Sequence, residues 1–164
     1  MNQMTHTPIA TPAHRGRIAL LASRWHADLV ERITGQASAE LQRLGWHAEQ
    51  IEVHELPGAF EFPLYARRIA DAGQHQALIA CALVVDGGIY RHEFVAQAVI
   101  DGLMRVQLDS GLPIFSASLT PQHFHEHEVH QQFFHAHLAK KGVEAAQACA
   151  MTLAAHERLA ALSR

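Results

Sequence analysis

The amino-acid sequence predicts an α/β protein, a three-layer α/β/α sandwich built on a four-stranded parallel sheet. Three observations predict it. Apolar runs of strand length alternate with stretches whose apolar residues recur at helical spacing. The connections between them are short, as in parallel sheets crossed by helices in the right-handed sense. The run from Ala77 to Val85 is apolar throughout, which suits a strand covered on both faces.

The first strand begins where Arg17-Ile-Ala-Leu-Leu-Ala-Ser23 turns apolar. Val30, Ile33, Ala37, Leu41 and Leu44 then follow helical spacing, and Gly45 ends that helix. Trp46 to Leu56 contains the second strand. Phe62, Ala66, Ile69 and Ala70 line a second helix as far as Gly73, and Ala77 to Val85 is the third strand. Val95, Ala98, Val99, Gly102, Leu103 and Val106 form a strong helical stripe. Gly111-Leu-Pro113 leads into a fourth strand, Ile114 to Leu119. A less regular, histidine-rich stretch from Pro121 to Lys140 precedes a last helix marked by Val143, Ala146, Ala150, Leu153 and Ala154. Four strands in this order suit a flavodoxin-like sheet.

Length and composition narrow the class of protein. With 164 residues, 49% of them apolar and 18% charged, one domain can bury a full core without disulfide or metal staples. That domain is expected over 17–164, behind a flexible arm at 1–16 that carries Thr7, Pro8, Thr11 and Pro12 without periodicity. The longest apolar run is far shorter than the roughly 20 residues a membrane helix needs, and the first residues are polar rather than signal-like. A soluble, cytoplasmic protein is expected. Net charge is −3 and the basic residues are scattered, which argues against a nucleic-acid partner. Cys81 and Cys149 lack metal spacing and read as buried free thiols.

Of 14 histidines, His123, His125, His127, His130, His135 and His137 crowd one segment. A metal module there would use the alternation of His123, His125 and His127. No His-Glu-x-x-His motif or fixed carboxylate or cysteine partner accompanies it, so an interface or solvated face is favoured and no metal site is expected.

Ligands of open parallel sheets bind outside the carboxyl ends of the strands, which directs attention to three segments. Trp25 follows strand one, where its indole can stack on an aromatic ring or simply cover the sheet edge. Pro57-Gly58 opens a helix whose first amides, on Ala59, Phe60 and Glu61, can donate to a polar ligand. Glu61 there serves a ligand or only the helix dipole. Gly87-Gly88 precedes another helix, and its amides can approach an anion, or the pair can serve a tight turn alone. Arg91 and His92 add a cation and a titratable imidazole beside it.

Three motifs in this order, Pro57-Gly-Ala-Phe-Glu61-Phe-Pro63, Val84-Val-Asp-Gly-Gly-Ile-Tyr-Arg-His-Glu-Phe-Val95 and Lys141-Gly-Val-Glu-Ala-Ala146, make the chain resemble lumazine synthases from Arg17 onward. The resemblance implies a transferase of riboflavin biosynthesis. It joins 5-amino-6-(D-ribitylamino)uracil to 3,4-dihydroxy-2-butanone 4-phosphate, releases phosphate and water, and uses no redox or metal cofactor. It implies that Trp25 stacks on the pyrimidine, that Ala59, Phe60 and Glu61 hold the ribityl substrate, and that Leu83, Val84 and Val85 line the same pocket. Gly88, Ile89 and Lys141 fall where the family meets phosphate.

Two departures bear on chemistry. Asp86-Gly87 stands where the common form of the family has arginine then glycine, removing a positive charge from the phosphate end. A gap-free match places Arg91 at the proton-transferring position, with His92 one residue later. Arginine stays protonated at neutral pH, so His92 is assigned proton transfer and Arg91 anion contact. The chain is most similar to the type II subgroup, which implies a homo-oligomer of two pentamers. Sites between neighbouring subunits would place Ser116 and one of the residues 127–131 in a partner's site, with His130 replacing the missing phosphate-binding arginine. A flavin- or lumazine-binding oligomer with weak catalysis is the alternative. The histidines could also make assembly depend on pH.

Overall fold

The computed structural model describes residues 8–86, 91–121 and 128–162, with side chains of the last stretch from Ala136 onward. Strands β1 (Arg17–Ser23), β2 (Ile51–Leu56), β3 (His75–Leu83) and β4 (Ile114–Leu119) alternate with helices α1 (Ala27–Arg43), α2 (Phe62–Ala72), α3 (His92–Ser110) and α4 (Glu128–Leu162). The sheet is parallel throughout in the order β2-β1-β3-β4, as the pattern of runs predicts.

Strand alternation explains why β1 and β3 are apolar along their length. Ile18, Leu20, Ile79 and Cys81 face one core cluster with α1 and α4, while Ala19, Leu21, Leu78 and Ala80 face another with α2 and α3. Each fully buried Leu or Ile contributes about 1.5–3 kcal/mol to that burial. Cys81 and Cys149 are free thiols in the first cluster, and burial pushes both up to about 12.

α1 and α4 are joined by a polar clamp as well as by apolar contact. The buried carboxylate of Glu40 accepts two 2.7 Å bonds from Arg43 and a 2.8 Å bond from Gln147 of α4. The Arg43 hydrogen bond is the main reason its carboxyl lies below the ordinary range.

Within the Trp46 to Leu56 segment β2 occupies Ile51–Leu56, and Trp46 is buried ahead of it, with its indole N–H donating to the Gly16 carbonyl at 3.1 Å. Other boundaries differ from expectation. β3 begins at His75 and ends at Leu83, so Val84 and Val85 belong to the loop beyond the strand. The last helix extends back to Glu128, into the histidine-rich stretch.

The segment expected to be a flexible arm is held in place over its final residues. Pro12 is buried, and the amides of Ala13 and His14 donate to Glu157 at 2.7 and 2.9 Å. Arg15 lies over the Trp46 ring and donates to the Leu44 carbonyl, while Gly16 N–H donates to Gln76.

Candidate active site

The carboxyl ends of the strands carry the candidate residues in two groups. Over β1 and β2, the Arg24 N–H donates to the Leu56 carbonyl at 2.8 Å, extending strand pairing one step beyond the sheet. His26 then takes a left-handed conformation at φ 57°, the one non-glycine residue so placed among the described residues. This turn starts α1 and leaves Trp25 outside the core with 70% of its surface exposed. Covering the sheet edge does not account for that exposure.

Gly58 lies between Trp25 and Glu61. A Cβ on it would meet the Glu61 carboxylate at 3.3 Å and the Trp25 indole at 3.6 Å, so glycine permits the close approach of these two side chains. The Gly58 N–H donates to Glu61 Oε2 at 2.9 Å, which satisfies an amide that opens the short 3-10 turn Ala59–Glu61 before α2. Ala59 is buried and Phe60 is 66% exposed. The result is an open platform with two accessible aromatic faces, a carboxylate and backbone amides. Such a surface suits a flat heterocycle carrying hydroxyl groups.

The second group lies over β3 and β4. Val84 N–H donates to the Leu119 carbonyl at 2.9 Å, so this pair of strands is also extended by one rung. Leu83 is buried, whereas Val84 and Val85 are half-buried and pack on opposite cores. Asp86 is exposed. Gly88 and Ile89 lie outside the described residues, as do the side chain of His130 and those of His123, His125 and His127.

His92 opens α3 and faces a cleft of about 590 Å³, bounded by His92, Glu93, Ala96, Gln97 and Ile100 of α3 and by Ser118 and Thr120 at the end of β4. Its side chain is only 12% exposed; Nδ1 lies 3.7 Å from Glu93 and has no hydrogen-bond partner among the described residues. Arg91 is instead exposed, with its guanidinium 4.8 Å over the Phe94 ring. The two neighbours therefore face different surroundings.

Ser118 and Thr120 were not among the sequence-derived candidates. The rule about strand ends contained the signal for them, since both sit where β4 finishes. Ser116 is exposed on that edge strand, where its Oγ accepts from the Ser118 amide at 3.3 Å. Lys141 lies on α4 and pairs with Glu144 at 2.6 Å. Neither Ser116 nor Lys141 lines the cleft, and Trp25 and Glu61 remain with the first group.

The two groups flank the line between β1 and β3. Successive connections leave the sheet in opposite directions there, and this is where open α/β sheets form a ligand crevice. Comparison with known proteins adds an independent observation: the family model described as 6,7-dimethyl-8-ribityllumazine synthase matches residues 15–157. The chain belongs to this family. A Rhodococcus erythropolis protein named 6,7-dimethyl-8-ribityllumazine synthase is 53% identical over 137 residues, covering 84% of this chain and 88% of that protein. A Bradyrhizobium diazoefficiens protein named 6,7-dimethyl-8-ribityllumazine synthase 2 is 52% identical over 145 residues, covering 87% and 86% respectively. A Xanthomonas euvesicatoria protein with the synthase name is 34% identical over 145 residues, covering 88% of this chain and 92% of its own.

Membership of the lumazine synthases agrees with the resemblance carried by the three motifs. It also supplies a reaction against which the two groups can be interpreted: one reactant is a flat pyrimidine and the other a small phosphate ester.

Proposed function

We infer that this chain condenses 5-amino-6-(D-ribitylamino)uracil with 3,4-dihydroxy-2-butanone 4-phosphate to form 6,7-dimethyl-8-ribityllumazine. The observation that carries the residue-level reading is His92, an imidazole largely enclosed at the start of α3, whose Nδ1 has no hydrogen-bond partner among the described residues.

The substrate amine attacks the ketone, and loss of water leaves an imine. Loss of a carbon-bound proton and departure of phosphate follow, and ring closure expels a second water. Each stage moves protons while the carbon framework is held in place. An imidazole can accept and return them, whereas a guanidinium stays protonated. Holding both substrates in one crevice supplies the effective concentration for the first bond.

Trp25 and Phe60 stack on the pyrimidine, and Glu61 and the amides of Ala59 and Phe60 hold the ribityl chain. Leu83, Val84 and Val85 form the apolar wall. Gly88 and Ile89 meet the phosphate at the start of α3, where the helix dipole favours an anion. Arg91 reaches the phosphate by leaving the Phe94 face, and Lys141 by leaving Glu144. His130 takes the place of the missing arginine.

The working unit is a pentamer, paired into a decamer, with Ser116 of each copy serving a neighbour's site. The exposed apolar row Ile100, Met104 and Leu108 on α3, at 39%, 50% and 75% exposure, supports burial against further copies. No described helix is long and apolar enough to cross a membrane, and buried free thiols suit the cytoplasm. Supplying the purified protein with both substrates and following lumazine and phosphate release tests the assignment. Equimolar product supports it; binding of lumazine or riboflavin without turnover overturns it.

A further inference from the structure

A second cluster of ionisable groups lies on β2 and β3 within the sheet. Glu52 and His54 are two residues apart on β2 and therefore share a face, directed toward the α2 and α3 layer. His75 opens β3, across the intervening strand β1. Its Nε2 lies 2.8 Å from Glu52 Oε2, and His54 Nε2 lies 3.7 Å from the same oxygen. One potential ligand atom from each residue falls within 4.8 Å of the others.

Ordinary hydrogen bonding does not complete this arrangement. Arg17 holds Glu52 Oε1 at 2.8 Å, and His75 takes Oε2. His54 Nε2 is buried without a partner, too far from Oε2 to bond to it. An orphaned nitrogen of this kind costs free energy unless something supplies its partner. On the other side of the ring, His54 Nδ1 lies 3.0 Å from the Tyr65 hydroxyl on α2. With Nδ1–H donating to that hydroxyl, the Nε2 lone pair points toward the carboxylate. A metal-binding histidine likewise has its second ring nitrogen held by an outer hydrogen bond that fixes the tautomer. Burial, chiefly, holds His54 below the ordinary histidine range, which favours the neutral ring a metal requires.

We propose that Glu52, His54 and His75 form a binding site for a zinc-class divalent cation that ties edge strand β2 to β3 across β1. Two imidazoles and one carboxylate suit zinc better than calcium or magnesium. Tetrahedral ligation at zinc distances puts ligand atoms about 3.3 Å apart. The 2.8 and 3.7 Å separations lie on either side of that value, and all three ligand atoms fall within 4.8 Å of one another, so side-chain rotation can bring them onto one ion. The partly exposed Glu52 leaves the fourth position to water. The site is structural: His75 opens β3, and Glu52 and His54 lie within β2 under the α2 layer, whereas the candidate active site lies beyond the carboxyl ends of the strands.

Chelator-treated, untagged full-length protein titrated with Co²⁺, followed by Zn²⁺ competition, tests the proposal. The histidine-rich segment is a competing source of ligands, so the triple variant H123Q/H125Q/H127Q is run beside H54Q, H75Q and Y65F. We expect the wild type and the triple variant to take up one Co²⁺ per chain with the intense visible bands of tetrahedral cobalt. Zn²⁺ should bleach those bands and raise the Tm of both. H54Q and H75Q should lose both responses, and Y65F, which keeps its ring, should bind at least several-fold more weakly. Retention of the bands in H54Q and H75Q, their loss in the triple variant alone, or no uptake by wild type overturns the proposal. If H54Q and H75Q do not fold, the Y65F affinity decides, and an unchanged value counts against the site.

Discussion

Gly142 of α4 stands directly against the main-chain carbonyl of Ile33 on α1: a Cβ on Gly142 would lie 2.3 Å from that oxygen and 3.1 Å from the amide nitrogen of Ala37. The two helices approach too closely for any side chain at this position. Gly142→Ala forces α1 and α4 apart, and overpacking of this kind costs about 1–3 kcal/mol. Urea unfolding should show a lower midpoint with an unchanged slope, and an unchanged midpoint would contradict the close contact.

His92 and Arg91 separate the proposed chemical roles. His92→Ala should lower kcat by about 10²–10⁴-fold, the usual range for a positioned acid or base. Arg91→Ala should act mainly by raising KM for the phosphate ester. Steady-state kinetics with each substrate varied in turn distinguishes them, and the reverse order would transfer proton movement away from His92.

Trp25, proposed to stack on the pyrimidine, is 70% exposed and fills no core space, so its removal should weaken binding and leave stability almost unchanged. Loss of an aromatic contact is worth about 0.5–1.5 kcal/mol. Trp25→Ala should therefore raise KM for the pyrimidine several-fold, with Trp25→Phe intermediate and Tm preserved. A large fall in Tm would make Trp25 a packing residue instead.

The protein should lose stability on acidification through the cluster of Glu52, His54 and His75. Burial, chiefly, lowers the folded-state pKa of His54, so below its unfolded value of about 6.5 the unfolded chain binds more protons. Stability is present above that pH and falls as pH drops toward the folded pKa. Glu52, lowered mainly by its His75 hydrogen bond, acts in the same direction at more acidic pH. In metal-free protein, His54→Gln should flatten the dependence of Tm on pH just below about 6.5. An unaltered slope would exclude His54 as its source.

The apolar row on α3 offers a test of the proposed oligomer. Met104→Asp places a charge in the middle of that row and should reduce particle mass measured by light scattering, with secondary structure retained. An unchanged mass would place the subunit contact elsewhere.

Much of the fold was legible because local pattern and burial agree. β1 and β4 have the expected limits, and Gly45, Gly73 and Gly111 occupy left-handed positions at the ends of α1, α2 and α3. Strand-end reasoning likewise directed attention to Trp25, Glu61 and His92, which the fold places beyond the carboxyl ends of the strands. It missed Ser118 and Thr120 because hydroxyl residues at a strand end carry no distinctive spacing. The Glu52, His54 and His75 cluster was hidden for a different reason: it is assembled across β1, and His75 is remote in sequence from the other two. Trp46 belongs to the same class, since its indole is satisfied by the Gly16 carbonyl at 3.1 Å rather than by any sequence neighbour.

In the proposed assignment, the two backbone rungs beyond the strand ends, Arg24 to Leu56 and Val84 to Leu119, keep the sites of the two reactants apart. Each rung fastens a pair of loops, one pair carrying the aromatic platform and the other leading to the His92 cleft. Substitutions in one pair can therefore accumulate without retuning the other. Under the proposed assignment, charges near the small ester, such as Asp86 before Gly87, can change while the surface proposed for the heterocycle stays as it was.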